Sequence, residues 1–193
     1  SFVAINLGAS LALSGKKVLL LGLDLRKPKL HMYLTGHQAK QGITNLLVGE
    51  INNSNQLLKT VPDYDNLCFI GCGPLPPNPA ELLMTARMQE LMTRFRLEYD
   101  KIIIDLPPVG LVTDALLLAK LADQTIVVTR FGYTIRPHIK MLDELYQKGK
   151  LPRMGVLLNG VKKGQYYTYG GNYGYGYGYY SDDAQKSWWK FWK

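Results

Sequence analysis

The chain has 193 residues, 47% hydrophobic and 20% charged, which is enough for one domain with a buried core and rules out a chain disordered throughout. A formal charge of +8 favours anionic partners such as nucleotide phosphates, nucleic acid or an acidic membrane face. Two cysteines, Cys68 and Cys72, exclude a disulfide framework and a zinc site and suit a reducing cytosol, and no apolar run reaches the ~18 residues of a membrane span.

The opening run SFVAINLGASLALSG has neither a basic leader nor a cleavage site and reads as a helix from Phe2 to Ser14. Ala4, Gly8 and Ala12 recur every fourth residue, a small ridge that lets this helix lie close on a sheet. A continuous apolar run from Val18 to Leu23 predicts the first strand, and it delivers Asp24, Arg26 and Lys27 at its end. Further strands are predicted at Leu67 to Ile70, Ile102 to Asp105, Thr125 to Thr129 and Gly155 to Leu158. Helical patterns fall between them: Asn78 to Leu97, Thr113 to Leu121 and Arg136 to Gln147. The second helix carries its own start signal, with Asn78 as cap, Pro79 at the first position and Glu81 in the first turn. Short Val/Ile-rich runs alternating with helices predict an α/β domain, a mostly parallel sheet flanked by helices and buried on both faces.

Composition changes near Val161, so the domain is expected over residues 1–161 and a tail over 162–193. Eight of the 13 tyrosines fall in the tail: Tyr166, Tyr167, Tyr169, Tyr173, Tyr175, Tyr177, Tyr179 and Tyr180. Glycines interleave with them, which makes a helix costly, and no aliphatic residues are present to build a core. The tail therefore reads as a flexible arm bearing accessible phenols, with a charge of +3 against +5 for the rest. Its last seven residues, SWWKFWK, suit a lipid headgroup interface or a disordered end.

In open α/β sheets ligands bind at the carboxyl ends of strands. Two such ends here present an aspartate, in LLLGLDLRKP (Asp24) and in KIIIDLPPVG (Asp105). An aspartate ending an apolar strand before a Pro-bearing loop is how phosphate-loop enzymes set a carboxylate beside Mg²⁺. The phosphate loop itself, G-x-x-x-x-G-K-[ST], is not in the sequence. Ser1 stands at the head of the first helix, however, as though the chain had been cut just after the motif's lysine. On that reading its hydroxyl is a Mg²⁺ ligand. His31, His37 and His138 are scattered and receive no catalytic role.

Taken together, SFVAINLGASLALSGKKVLLLGLDLRKP, PLPPNPAEL, YDKIIIDLPPV and TYGGNYGYGYGYY, in this order, resemble the bacterial tyrosine kinases. These are the cytoplasmic kinase domains of polysaccharide co-polymerases. The resemblance implies a deviant P-loop fold like that of the MinD/ParA ATPases, binding ATP and Mg²⁺ and passing the γ-phosphoryl group to tyrosine. It implies that Ser1 and Asp105 hold the metal, that Asp24 and Arg26 are the second aspartate and the arginine of a D-x-D-x-R motif, and that Asn159 contacts adenine. A strand-end Asn is also an ordinary turn former. The eight tail tyrosines become phosphoacceptors for a neighbouring copy in a homo-oligomeric ring, at the inner face of the cell membrane. The expected partners are a transmembrane co-polymerase segment in cis or in trans and a protein-tyrosine phosphatase; no nucleic-acid signature accompanies the Tyr/Gly repeats. One position departs from the motif: Gly22 stands where the first aspartate is expected, leaving Asp24 to carry that carboxylate's metal contacts or base function, so that the metal ligands implied are Ser1, Asp24 and Asp105. The alternative implied by that departure is a MinD/ParA-like ATPase, or a degenerate kinase domain acting as an assembly scaffold.

Overall fold

A computed structural model describes residues 1–109 and 114–161. The elements run α1 (Phe2–Leu13), β1 (Val18–Gly22), α2 (Leu30–Thr35), α3 (Ile43–Val48), β2 (Lys59–Val61), β3 (Tyr64–Ile70), α4 (Pro79–Leu83), α5 (Ala86–Glu98), β4 (Lys101–Asp105), α6 (Asp114–Ala119), β5 (Ile126–Arg130), α7 (Arg136–Gln147) and β6 (Gly155–Asn159). Four strands form one sheet in the order β2-β3-β1-β4, with β1 parallel to both β3 and β4 and the edge strand β2 antiparallel. β5 and β6 form a second, parallel pair.

β1 is the axis of the packing, because Val18 to Leu21 are wholly buried. Strand alternation sends Leu19 and Leu21 to one face, where Met88, Met92 and Phe95 of α5 and Leu46 of α3 cover them. Val18 and Leu20 go to the other, against Leu67, Phe69, Leu30 and α1. The small ridge on α1 works as the sequence predicts. A methyl group at Gly8 would lie 2.9 Å from Leu20 Cδ2 and 3.1 Å from Leu67 Cδ1, so anything larger than glycine makes those leucine ends shift.

The expected strands and helices are present, with four differences. The helix expected from Asn78 to Leu97 is broken at Thr85, whose hydroxyl donates to Leu82 O and caps α5 by accepting from Met88 N–H. Asn78 does not cap α4 with its side chain; its amide donates instead to Glu81 Oε2 at 2.9 Å. Three short elements, α2, α3 and β2, have no sequence period to announce them. Finally, burial on both faces holds for β1 but not for β6, where Val156 is 57% and Leu158 47% exposed. Among the described residues no strand pairs with the outer edge of β4 or of β5.

α2 docks through Leu30 and His31. His31 is 5% exposed, and neither ring nitrogen has a hydrogen-bond partner. The ring packs edge-on against Phe69 at 5.6 Å and His37 at 5.4 Å. Burial first, then the charges of Lys59 and His37, push its pKa below the usual 6.5. The folded state therefore keeps His31 neutral where the unfolded chain protonates it. Its contribution to stability is complete above about pH 6.5 and is lost as pH falls below that value. Urea unfolding from pH 7.5 down to 5.5 should show stability declining, by at most about 1.4 kcal/mol per pH unit from this one proton. His31→Leu should flatten the decline, and an unchanged slope would remove His31 as its source.

Candidate functional site

α1 and the β1–β4 pair bring Ser1 to Asp105. Gly22 and Asp105 are register partners at the carboxyl ends of β1 and β4, and Leu23 N–H donates to Asp105 O at 2.9 Å. Because α1 lies low on the sheet, its head sits over this strand end. Ser1 Oγ donates to Asp105 Oδ2 at 2.5 Å, and the Ser1 backbone nitrogen lies 2.8 Å from Oδ1. Both side chains are nearly out of water, at 12% and 11% exposure. Ser1 makes no side-chain cap to its own helix. Its hydroxyl is committed to the carboxylate instead.

Asp24 stands two residues beyond Gly22, at the head of the loop that leads into α2. Its Oδ1 accepts the N–H groups of Arg26 at 3.1 Å and Lys27 at 2.9 Å. This turn fixes the course of the backbone that carries Arg26. Close by, burial and the charge of Asp24 push the Cys72 thiol up to about 12, which leaves it protonated and unreactive. Cys68 and Cys72 are both free, as the cysteine count implied.

Asn159 lies elsewhere, in the β5–β6 pair opposite Arg130. Its Oδ1 accepts from Gly160 N–H at 2.8 Å, the turn-forming role that the sequence left open. Ser1 and Asp105 thus meet directly, Asp24 follows two residues after the Gly22 that pairs with Asp105, and Asn159 belongs to the second sheet. The eight tail tyrosines lie outside the described residues. Among the described residues no three His, Cys, Asp or Glu side chains converge. The donors on hand are a hydroxyl and carboxylates, the hard oxygen set that suits Mg²⁺ when phosphates and water complete its shell.

Two features of the site were not read from the sequence. Leu30 fills the space beside Gly22: a Cβ there would lie 3.3 Å from Leu30 Cδ2 and 3.6 Å from Cys72 N. The Gly71–Gly73 loop is also strapped to α3. Ile43 N–H donates to Gly71 O at 2.9 Å, and both the N–H and the hydroxyl of Thr44 donate to Cys72 O at 3.0 Å. Gly42 makes the strap possible, since a methyl group there would lie 2.3 Å from Gly71 O. The run Gly-Ile-Thr-Asn at 42–45, a glycine ahead of side chains that bond to backbone, is the signal that could have found it.

The model of the AAA domain family matches residues 1–144. The putative tyrosine-protein kinase EpsB of Ralstonia nicotianae is 41% identical over 177 residues, which are 90% of this chain and 23% of that protein. The chain therefore spans about a quarter of the length of that relative. The tyrosine-protein kinase YwqD of Bacillus subtilis is 34% identical over 170 residues, covering 88% of this chain and 70% of that one. Among solved structures, the kinase domain of the Escherichia coli tyrosine kinase ETK superposes with a TM-score of 0.74 at 31% identity, over 91% of this chain and 66% of that one. The septum site-determining protein MinD of Pyrococcus horikoshii, complexed with Mg-ADP, superposes at 0.63 and 21% identity over 81% and 63%, a likeness of fold. The α/β class and its P-loop relationship are thereby established.

The structural part Asp24 plays in its turn is separable by substitution. Asp24→Asn keeps an oxygen for the two loop N–H groups and should leave unfolding free energy within about 0.5 kcal/mol of the parent. Asp24→Ala should cost about 1 kcal/mol. Equal losses in denaturant melts would show that the turn hydrogen bonds do not matter.

Proposed function

The chain belongs to the bacterial tyrosine-protein kinase family, and from that premise we propose that it is an ATP-dependent tyrosine autokinase acting on its own tail. Residues 1–161 form the catalytic domain. Residues 162–193 form the substrate arm, with Tyr166, Tyr167, Tyr169, Tyr173, Tyr175, Tyr177, Tyr179 and Tyr180 as acceptors in a neighbouring copy. The observation that carries this reading is the hydroxyl–carboxylate pair of Ser1 and Asp105, held out of water at the carboxyl end of a parallel sheet and at a helix N-terminus.

Mg-ATP supplies an activated γ-phosphoryl group. Asp105 orients the Ser1 hydroxyl, and the two oxygens together would hold the Mg²⁺ of the nucleotide. A phosphate loop ahead of Ser1 would add glycines and a lysine to cradle the phosphates. A free tyrosine titrates near pH 10, so transfer at neutral pH needs a proton acceptor. Oδ1 of Asp24 is taken by the loop, and Oδ2 is the oxygen assigned that role. Each phosphate adds about −1.5 to −2 charges to a basic arm. By changing that charge, phosphorylation sets subunit assembly, and through it polysaccharide polymerisation and export at the inner membrane face. A transmembrane co-polymerase segment and a phosphatase are the partners this cycle requires.

Gly22 favours a second reading, an ATPase or scaffold without tyrosine transfer, because Leu30 covers the position where a carboxylate is absent. One experiment separates the two. With the phosphate loop in place ahead of Ser1, the protein is given Mg-ATP and its phosphotyrosines are mapped by mass spectrometry. The kinase reading predicts phosphate between Tyr166 and Tyr180 and a loss of about 10–100-fold in Asp105→Asn, a residue that holds a metal ligand from behind. ATP hydrolysis with no phosphotyrosine would favour the scaffold, and a gain in Gly22→Asp would identify the missing carboxylate as the cause.

A further inference from the structure

Five of the 13 tyrosines lie outside the tail, and their surroundings differ sharply. Tyr99 is 8% exposed, and burial foremost, with Cys68 and Glu98, raises its hydroxyl to about 12. Tyr33 and Tyr64 are half-buried. Tyr146 is 56% exposed but sits within α7, where the helix backbone prevents the residue from extending into another molecule's cleft. Tyr133 is 75% exposed and lies in the turn between β5 and α7.

That turn is firmly built. Tyr133 N–H and Thr134 N–H both donate to Arg130 O, at 3.1 and 2.9 Å, and Arg130 N–H donates to Thr134 Oγ1 at 2.8 Å. Gly132 takes φ 68° and turns the chain so that the phenol projects into solvent. One arginine packs on the phenol and a second is close along the chain. The Arg130 guanidinium lies 5.7 Å from the ring centroid, and Arg136 opens α7 three residues later, its Cα within about 11 Å along the chain. Arginine pairs with phosphate in bidentate fashion, and this phenol already stacks on one guanidinium. The local sequence is Gly-Tyr, the dipeptide repeated in the tail at Gly174–Tyr175, Gly176–Tyr177 and Gly178–Tyr179.

We propose that Tyr133 is a phosphorylation site outside the tail, and that its phosphate is clasped by Arg130 and Arg136. The proposal rests on the kinase reading above, with a second copy of the chain as donor enzyme. The Tyr133 oxygen forms a bond to the γ-phosphorus of ATP as the bridging β–γ oxygen bond breaks. ADP leaves with the bonding pair, and the phenolic proton passes to the donor copy's acceptor carboxylate and then to water. The new group brings about −1.5 to −2 charges between two exposed cations and draws Arg130 from ring to phosphate. Phe131 N–H donates to Asn159 O at 2.8 Å, so the modification sits one hydrogen bond from the end of β6.

The test uses the full chain with its phosphate loop, Mg-ATP and site-resolved mass spectrometry. Phosphate is expected on Tyr133 as well as on the tail, and Tyr133→Phe should lose that site alone while tail phosphorylation continues. A phosphorylated tail with Tyr133 unmodified would overturn the inference and spare the kinase reading. No phosphotyrosine anywhere would overturn both. The clasp is read by ³¹P NMR titration, where the Tyr133 phosphate should titrate below the ordinary value of about 6 and return toward it in Arg130→Gln/Arg136→Gln. An unchanged midpoint would show that the arginines do not hold the phosphate.

Discussion

The distance between α1 and the sheet controls the rest of the molecule. Gly8 removes the side chain that would otherwise meet Leu20 and Leu67, and the helix settles far enough to bring Ser1 Oγ within 2.5 Å of Asp105 Oδ2. A larger residue at position 8 would press on those two leucines, and a bulky one would push α1 outward against the pair although neither Ser1 nor Asp105 had changed. Packing on the Val18, Leu20 and Phe69 face is thus coupled to the chemistry at the strand ends through a rigid helix. The pair is shielded from water, which strengthens the attraction between hydroxyl and carboxylate and fixes one rotamer of each.

The Asp24 loop depends on a second set of constraints. It leaves β1, turns on the Asp24 carboxylate and is anchored by α2, whose Leu30 and His31 are buried. A histidine with no partner for either ring nitrogen is an expensive anchor and holds only while neutral. On the far side, the strap between α3 and the Gly71–Gly73 loop depends on Gly42 having no side chain. Two small residues, Gly22 and Gly42, therefore shape the rim of the site as much as its charged groups do.

Much of this was legible in the sequence where periodicity or burial is strong. Val18 to Leu23 and Ile102 to Asp105 announced themselves as apolar runs, and the two strand-end aspartates marked the face where Ser1 and Asp105 meet. α2 and α3 were not legible, because six residues are too few for a helical period to show. β2 is an edge strand of three residues with two exposed; its signal was the Pro62–Asp63 turn, where Asp63 takes φ 66°. The break at Thr85 was hidden because the apolar pattern continues across it. The packing of Leu30 over Gly22 is a tertiary contact that no local pattern encodes.

The central claim is that Ser1 and Asp105 act as one unit toward a metal-bound nucleotide. The most direct measurement is a double-mutant cycle of Ser1→Ala and Asp105→Asn, read as Mg²⁺-dependent ATP affinity in protein carrying the phosphate loop. Each single change should weaken binding, and the pair together should weaken it little more than either alone, with a coupling of about 0.5–3 kcal/mol. Strictly additive losses, or binding unaffected by either change, would contradict the account.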